Sequence, residues 1–410
     1  MNGINRLINS TAFRVTFLGC SFVAMLLLGV IKIYSPDKVI RFERIDAQIY
    51  YKWGYGWLHG LNVYDPKFHL SNKHLKYRTN KSMAYPPHAS LLFMFLASFP
   101  MNVAMTIMTT LNIFCVGVIA FFSLLLLKQA KVKLDAAIWF IPAFVMGNPF
   151  VSSTIFVGQG ALIVGAALIS GWYFAYRGRW ILGGILIAIA SIKPQLAILV
   201  VFWLFLDKQW RLLTVAGITV LISSIVPMVV VGPIDAFLQW LLSSIRYIEH
   251  PGGDHLGSGG VTGFQNVFYL LGVKGIPNFL PIGFVLTAVL WWHRTKFASP
   301  NDIFGVLVGI TCLFSIAVHL GHFLIIIPLI AIFWIHLHQS EWNKISIALI
   351  LMLNLYIPRR LLIHVFDPPA LFMVFYPVLI MSILLGWLVW LNIANKNQTE
   401  NNSINEVRLT

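Results

Sequence analysis

Charge is what this sequence has least of. Asp, Glu, Lys and Arg together make up 10% of the 410 residues, against 58% hydrophobic ones. Soluble domains carry roughly 25% charge. A chain this poor in charge, with a mean hydropathy of +0.80, lacks the polar surface to stay in water. That excludes a soluble enzyme and a disordered protein. Cysteine is scarce too. Cys20, Cys115 and Cys312 each lie inside an apolar run, so no disulfide framework is expected. Acids are the rarer charge, 14 against 29 Lys and Arg, for a formal net charge of +15. In a membrane protein that excess reflects loop topology and anionic-lipid contact, so no nucleic-acid partner is expected. Neither HExxH nor CxxC occurs, and neither a metal nor another cofactor is expected.

Long apolar runs are what the chain does have. A spanning helix needs about 20 apolar residues, fewer when it packs inside protein. Candidate spans fall at 12–33, 100–127, 134–148, 160–176, 180–192, 194–206, 211–231, 276–292, 302–318, 322–338, 345–357 and 370–392, with 87–99 a further one. The fold expected is an all-α polytopic membrane protein of about 11–13 transmembrane helices. Arg6 and Arg14 precede the first run and no small-residue cleavage site follows, so an uncleaved first helix is expected. Residues 1–394 form one transmembrane domain, and 395–410 a polar, disordered tail.

Short basic loops set the orientation. Lys128, Lys131 and Lys133, then Arg177 and Arg179, Lys208 and Arg211, Arg294 and Lys296, and Lys344 all fall on the cytoplasmic side when the N-terminus is inside. The C-terminus then lies inside as well. Two long loops, 35–99 and 232–275, fall outside. So do the junctions Asn148–Gln159, Lys193–Pro194, His319–His322 and Arg359–Arg360. The residues unusual for a membrane chain therefore collect on the outer face. Loop 35–99 is itself basic, which contact with phosphate-bearing lipids would explain.

Few residues on that face can carry chemistry. Asp46 follows the first helix within an aromatic segment that includes Tyr50 and Tyr51. It is a candidate general base, or one of several acids that pair with Arg41 and Arg44 on an interfacial helix. Glycoside hydrolysis generally needs two carboxylates, because the leaving alkoxide must be protonated. A sugar phosphate leaves without a proton, so one base and cations on the phosphate suffice, which suits a chain poor in acids. Lys193, between two apolar runs, would cost roughly 2.5–3.5 kcal/mol near mid-bilayer. It reads as a phosphate ligand or a snorkelling turn lysine. Asn148 and Gln159 offer amides to sugar hydroxyls or cap helix ends. His319 and His322, three apart, would share one helix face as sugar or phosphate contacts, or as helix-end polarity. Arg359 and Arg360 suit bidentate phosphate contact or lipid anchoring. The glycine-rich run 252–260 reads as a mobile lid or a plain connector, and Gln265 beyond it could line the same cavity.

In order and spacing these motifs resemble glycosyltransferases of GT-C type that use polyprenol-phosphate sugars, and among them glycosyltransferase family 87. The resemblance rests on Asp46 with Tyr50 and Tyr51, Gly60-Leu61-Asn62-Val63-Tyr64-Asp65-Pro66, Ala84-Tyr85-Pro86-Pro87, Asn148-Pro149, Gly158-Gln159-Gly160 and Ser191-Ile192-Lys193-Pro194. It covers roughly residues 10–340. It implies a GT-C-like helix bundle in a bacterial plasma membrane, with the active site on external loops. It implies a polyprenyl-phosphate-linked hexose donor, most often mannose, and a lipid or glycan acceptor. Transfer is inverting, with Asp46 as base, Lys193 and the arginines on the donor phosphate, and Tyr50, Tyr85 and a histidine of the 319/322 pair facing the reaction. Gly160 departs from the asparagine that similar sequences often carry. Two other readings use the same cations and amides: a transporter or flippase of a lipid-linked sugar, and a surface-polysaccharide polymerase or ligase. Polar groups confined to one face favour the transferase over a transporter, which needs access from both.

Overall fold

The structure is a computed structural model, and it describes residues 10–29, 45–68, 83–129, 137–249, 256–257, 261–273, 278–297, 299–315, 318–319 and 369–409. These residues form an all-α polytopic membrane protein. Helices α1 (Thr11–Gly29), α4 (Met101–Gln129) and α16 (Ala370–Leu409) each contain a stretch long and apolar enough to cross a membrane. A further pair, α10 (Trp210–Ser223) and α11 (Ile225–Val231), is together long and apolar enough for a span but is bent by 51°. The sequence pattern reads 211–231 as one helix, and Pro227 is why it is not. A proline has no N–H for the carbonyl four residues back, and its ring crowds that carbonyl. The carbonyl in question, on Ser223, instead accepts a hydrogen bond from the Ser90 hydroxyl at 3.3 Å.

The shorter apolar helices include α7 (Ala161–Ala175), α8 (Trp180–Ala190), α9 (Pro194–Leu206), α14 (Leu280–Trp292) and α15 (Pro300–Phe314). α7 is buried without interruption from Ala161 to Trp172, and α15 from Asn301 to Leu313. The Trp172 ring stacks on Phe304 at 4.9 Å and joins the two. Glycines let α8 approach its neighbour closely, as membrane helices commonly do. A Cβ on Gly184 would stand 2.6 Å from the Leu212 carbonyl oxygen on α10.

Between α1 and α4 lie the elements that build the site. α2 (Ile45–Leu58) packs on α3 (Ser90–Ala97), which a 3-10 turn, Pro87–Ala89, precedes. Gly54 permits the approach: a Cβ there would stand 1.9 Å from the Phe93 carbonyl oxygen. The buried face of α2 carries Ala47, Tyr50, Lys52, Trp53, Gly54, Gly56 and Trp57, so this helix sits in protein rather than lying free at the interface. Lys52, one of the basic residues of loop 35–99, is likewise buried, its ammonium 5.8 Å from the Phe68 ring centre.

The elements α5 (Ala137–Met146), α6 (Pro149–Val157), α12 (Asp235–Glu249) and α13 (Phe264–Leu270) complete the helices among the described residues. α12 faces two ways. Leu238, Leu241, Leu242 and Ile245 are exposed, whereas Gln239, Trp240 and Ser244 bond to protein. An apolar stripe turned outward beside a bent span suits a helix lying at the lipid interface. Two short strands, β1 (Val261–Thr262) and β2 (Val318–His319), pair antiparallel with Val261 opposite His319. α16 runs to Leu409 without a Gly or Pro after Gly386, so helix continues through 395–409, where composition alone reads as a disordered tail.

Candidate active site

Two helix breaks and a turn converge on one pair of tyrosines. Asp46 stands in the first turn of α2, half-buried, where the helix N-terminus favours a carboxylate. One turn on, Tyr50 is buried, and its ring stacks on Phe93 at 4.7 Å. The Tyr50 and Tyr85 hydroxyls share a hydrogen bond of 2.6 Å, and the Gly160 N–H donates to the Tyr50 oxygen at 3.3 Å. Burial, and then the negative charge of Asp46, hold the Tyr50 phenol well above its ordinary pKa. It is a neutral hydrogen-bonding group, not a base.

Lys193 lies beside the same pair. α8 ends at Ala190 and Pro194 opens α9, so Lys193 occupies the break between two apolar helices. It is 2% exposed, with its ammonium 5.8 Å from the Tyr85 ring centre. The Ser315 hydroxyl donates to the Gln195 carbonyl and ties the first turn of α9 to the end of α15. Acid and cation, 147 positions apart in the chain, thus each act on one member of the hydrogen-bonded Tyr50–Tyr85 pair.

The segment carrying Tyr85 is pinned. Tyr64 donates from its hydroxyl to the Tyr85 carbonyl at 3.0 Å. Asn62 accepts from the Tyr64 N–H at 3.0 Å and donates its amide to Gln239 of α12 at 2.7 Å. Trp240 and Ser244 of α12 each donate to the Ala84 carbonyl at 3.2 Å. The run from Gly60 to Pro66 therefore acts as a brace on Ala84-Tyr85. Next in sequence, His88 is buried with its Nε2 3.0 Å from the Ser191 hydroxyl.

Other residues singled out from sequence divide in two groups. Asn148 caps α6, accepting from the Phe150 N–H at 2.8 Å. α6 ends at Gly158 in the left-handed conformation, φ +68°, with room for no Cβ: it would stand 2.6 Å from Ala47 of α2. The half-buried Gln159 lies between that contact and Gly160. Gln265 is half-buried at the start of α13, while its neighbour Asn266 donates to the Val261 carbonyl and accepts from the Gly257 N–H, both at 2.6 Å. His319 contributes its backbone to β2; its side chain, His322, Arg359 and Arg360 lie outside the described residues. Sequence reasoning missed His88, Trp240 and Ser244. His88 sits inside what reads as an apolar run, and α12 inside what reads as a loop. Among the described residues no three His, Cys, Asp or Glu side chains cluster to hold a metal.

The arrangement offers one carboxylate, one buried cation, neutral phenols and an imidazole, a set able to bind an anionic group and remove one proton. A comparison with curated proteins found no match. The model of glycosyltransferase family 87 matches residues 84–318, a span that takes in Tyr85, Asn148, Gln159, Lys193 and Gln265 and leaves Asp46 and Tyr50 just before it. With more than half of its length inside that match, the chain belongs to glycosyltransferase family 87, a family of membrane glycosyltransferases.

Proposed function

We propose that this membrane glycosyltransferase transfers a hexose, most often mannose, from a polyprenyl-phosphate sugar to a lipid or glycan acceptor on the extracytoplasmic face. The observation that carries the reading is that the charge of Asp46 acts on Tyr50 while Lys193 lies over Tyr85, the two tyrosines being hydrogen-bonded to each other. Asp46 removes the proton from the acceptor hydroxyl. That oxygen attacks the anomeric carbon from the side opposite the phosphate, and the bond to the phosphate oxygen breaks. The polyprenyl phosphate leaves as an anion and needs no proton, so a single base is enough. Configuration at the anomeric carbon inverts. Lys193, held at a helix break inside apolar surroundings, stabilises the charge on the departing phosphate, an interaction strengthened by the scarcity of water there. Tyr50 and Tyr85 fix the base relative to that cation.

The membrane supplies both substrates, and the basic outer loops favour anionic lipid headgroups. Arg359, Arg360 and one of His319 and His322 are proposed as further phosphate and sugar contacts. The test is transfer by purified protein in detergent, given radiolabelled polyprenyl-phosphate mannose and a lipid extract as acceptor. Labelled glycolipid of inverted anomeric configuration supports the reading. Binding of the donor without turnover in the presence of every acceptor fraction contradicts it and assigns the site to a carrier.

A further inference from the structure

α12 stands between the apolar α10–α11 pair and the segment that carries Tyr85. Three residues, 232–234, separate it from the end of α11 at Val231. Such a link spans at most about 14 Å between the flanking Cα atoms. Here it is shorter, because Gly232 turns at φ +115° and its carbonyl accepts from the Ala236 N–H at 3.0 Å. The headgroup layer on each side of a bilayer is about 5–7 Å thick. The lipid that covers the exposed Ile222 and Val229 of α10 and α11 therefore reaches the start of α12.

The outward face of α12 suits that lipid. At about 100° per residue Ile234, Leu238, Leu241, Leu242 and Ile245 form one stripe, and all five are exposed. Asp235 and Arg246, exposed as well, stand at one edge of it, where headgroups and water begin. Ala236 and Ser243, on the opposite side, are buried. The stripe continues the apolar surface of the α10–α11 pair without a charged residue between Val229 and Ile234, which favours acyl chains over a protein partner as its cover.

The inward face holds the backbone beside Tyr85. Trp240 and Ser244 each donate to the Ala84 carbonyl at 3.2 Å. Gln239 accepts from the Asn62 amide, Asn62 accepts from the Tyr64 N–H, and the Tyr64 hydroxyl donates to the Tyr85 carbonyl. One stretch of helix thus presents apolar side chains outward and bonds, directly or through Asn62 and Tyr64, to two successive carbonyls.

We propose that α12 docks its outward stripe among acyl chains at the membrane surface and, through Trp240, Ser244 and the Gln239–Asn62–Tyr64 chain, sets the position of Tyr85 from that surface. Trp240 and Ser244 are positioning residues, acting on the reaction only through Ala84-Tyr85. The effect on transfer rests on the role given to Tyr85 above; the lipid contact does not.

The lipid contact is read first. Full-length protein with Cys20→Ser is placed in phosphatidylethanolamine–phosphatidylglycerol vesicles with one nitroxide label, on Leu238→Cys, Leu242→Cys, Ile245→Cys or Arg246→Cys; Cys115 and Cys312 are buried. At the first three positions collisions with oxygen should exceed those with a water-soluble nickel complex, and at Arg246 the order should reverse. Free access of the nickel complex to Leu238, Leu242 and Ile245 overturns the contact. So does shielding of all three from both reagents, which would seat protein there.

The coupling is read from the fluorine resonance of 3-fluorotyrosine at Tyr85, in nanodiscs of the same lipids. Trp240→Phe with Ser244→Ala removes both hydrogen bonds to the Ala84 carbonyl, and Leu242→Asp puts a charge in the stripe. Each should move the resonance at a melting temperature near that of wild type. Each should also lower kcat about tenfold with KM for the sugar lipid within about twofold. Trp240→Phe with Ser244→Thr, which keeps one hydroxyl, should return part of both effects. Unmoved resonances overturn the coupling. Moved resonances with wild-type kcat support the coupling and contradict the role of Tyr85 in the reaction.

Discussion

Gly54 offers a graded way to move the acid without touching it. A methyl group there would stand 1.9 Å from the Phe93 carbonyl oxygen, about 1.5 Å short of ordinary contact. The carbonyl belongs to the backbone of α3, so no side-chain rotation relieves the overlap. Gly54→Ala must push α2 and α3 apart on the side where Tyr50 stacks on Phe93 at 4.7 Å. Overpacking of this size destabilises by about 1–3 kcal/mol. Its larger effect is on geometry. α2 carries Asp46 and Tyr50, whereas Lys193 lies before α9, so widening the α2–α3 contact shifts Asp46 against Lys193. A displacement near 1 Å can lower turnover about a hundredfold. The assay pairs initial transfer rate with thermal melting in the same detergent. Gly117→Ala, where nothing lies within 4 Å of the added methyl, is the control and should match wild type in both. Wild-type turnover by Gly54→Ala in a folded protein would refute the claim that the α2–α3 contact sets the reacting geometry.

Further outcomes follow from individual contacts. Lys193→Met fills the same break without charge; donor affinity should fall about tenfold to a hundredfold, the value of a hydrogen bond to an ion, with melting temperature held or raised. The Tyr50 phenol titrates above its ordinary value, so below about pH 10 it is protonated in both folded and unfolded chains. As pH rises past that value the unfolded chain releases a proton that native Tyr50 keeps, and stability falls; Tyr50→Phe should flatten that alkaline loss in a pH series of melts. Asn148→Ala removes the cap on α6 and should lower stability by about 1 kcal/mol in denaturant titration, while leaving donor affinity within a few fold.

Much of the candidate site could be read from the chain because each proposed residue breaks a pattern. Asp46 and Lys193 are charges in a sequence that has few, and Tyr85 precedes two prolines. What stayed hidden is tertiary. Nothing local says that Gly54 meets Phe93 or that Gly158 meets Ala47; both contacts depend on how helices dock. His88 follows Pro86-Pro87 within a run apolar enough to pass for part of a span. α12 was legible in principle. Ile234, Leu238, Leu241, Leu242 and Ile245 recur at helical spacing within the segment that reads as a loop. Pro227 likewise announces the bend in the 211–231 span that continuous hydropathy conceals. Asn148 shows the opposite limit: a residue type suited to sugar binding is equally suited to a helix cap, and here its side chain caps α6.

The central claim is that one carboxylate at the start of α2 takes the acceptor proton. Asp46→Asn keeps the size and removes the base. Its transfer rate from polyprenyl-phosphate mannose should fall roughly a hundredfold to ten-thousandfold with donor affinity retained. A folded Asp46→Asn protein that transfers at near the wild-type rate would contradict the account.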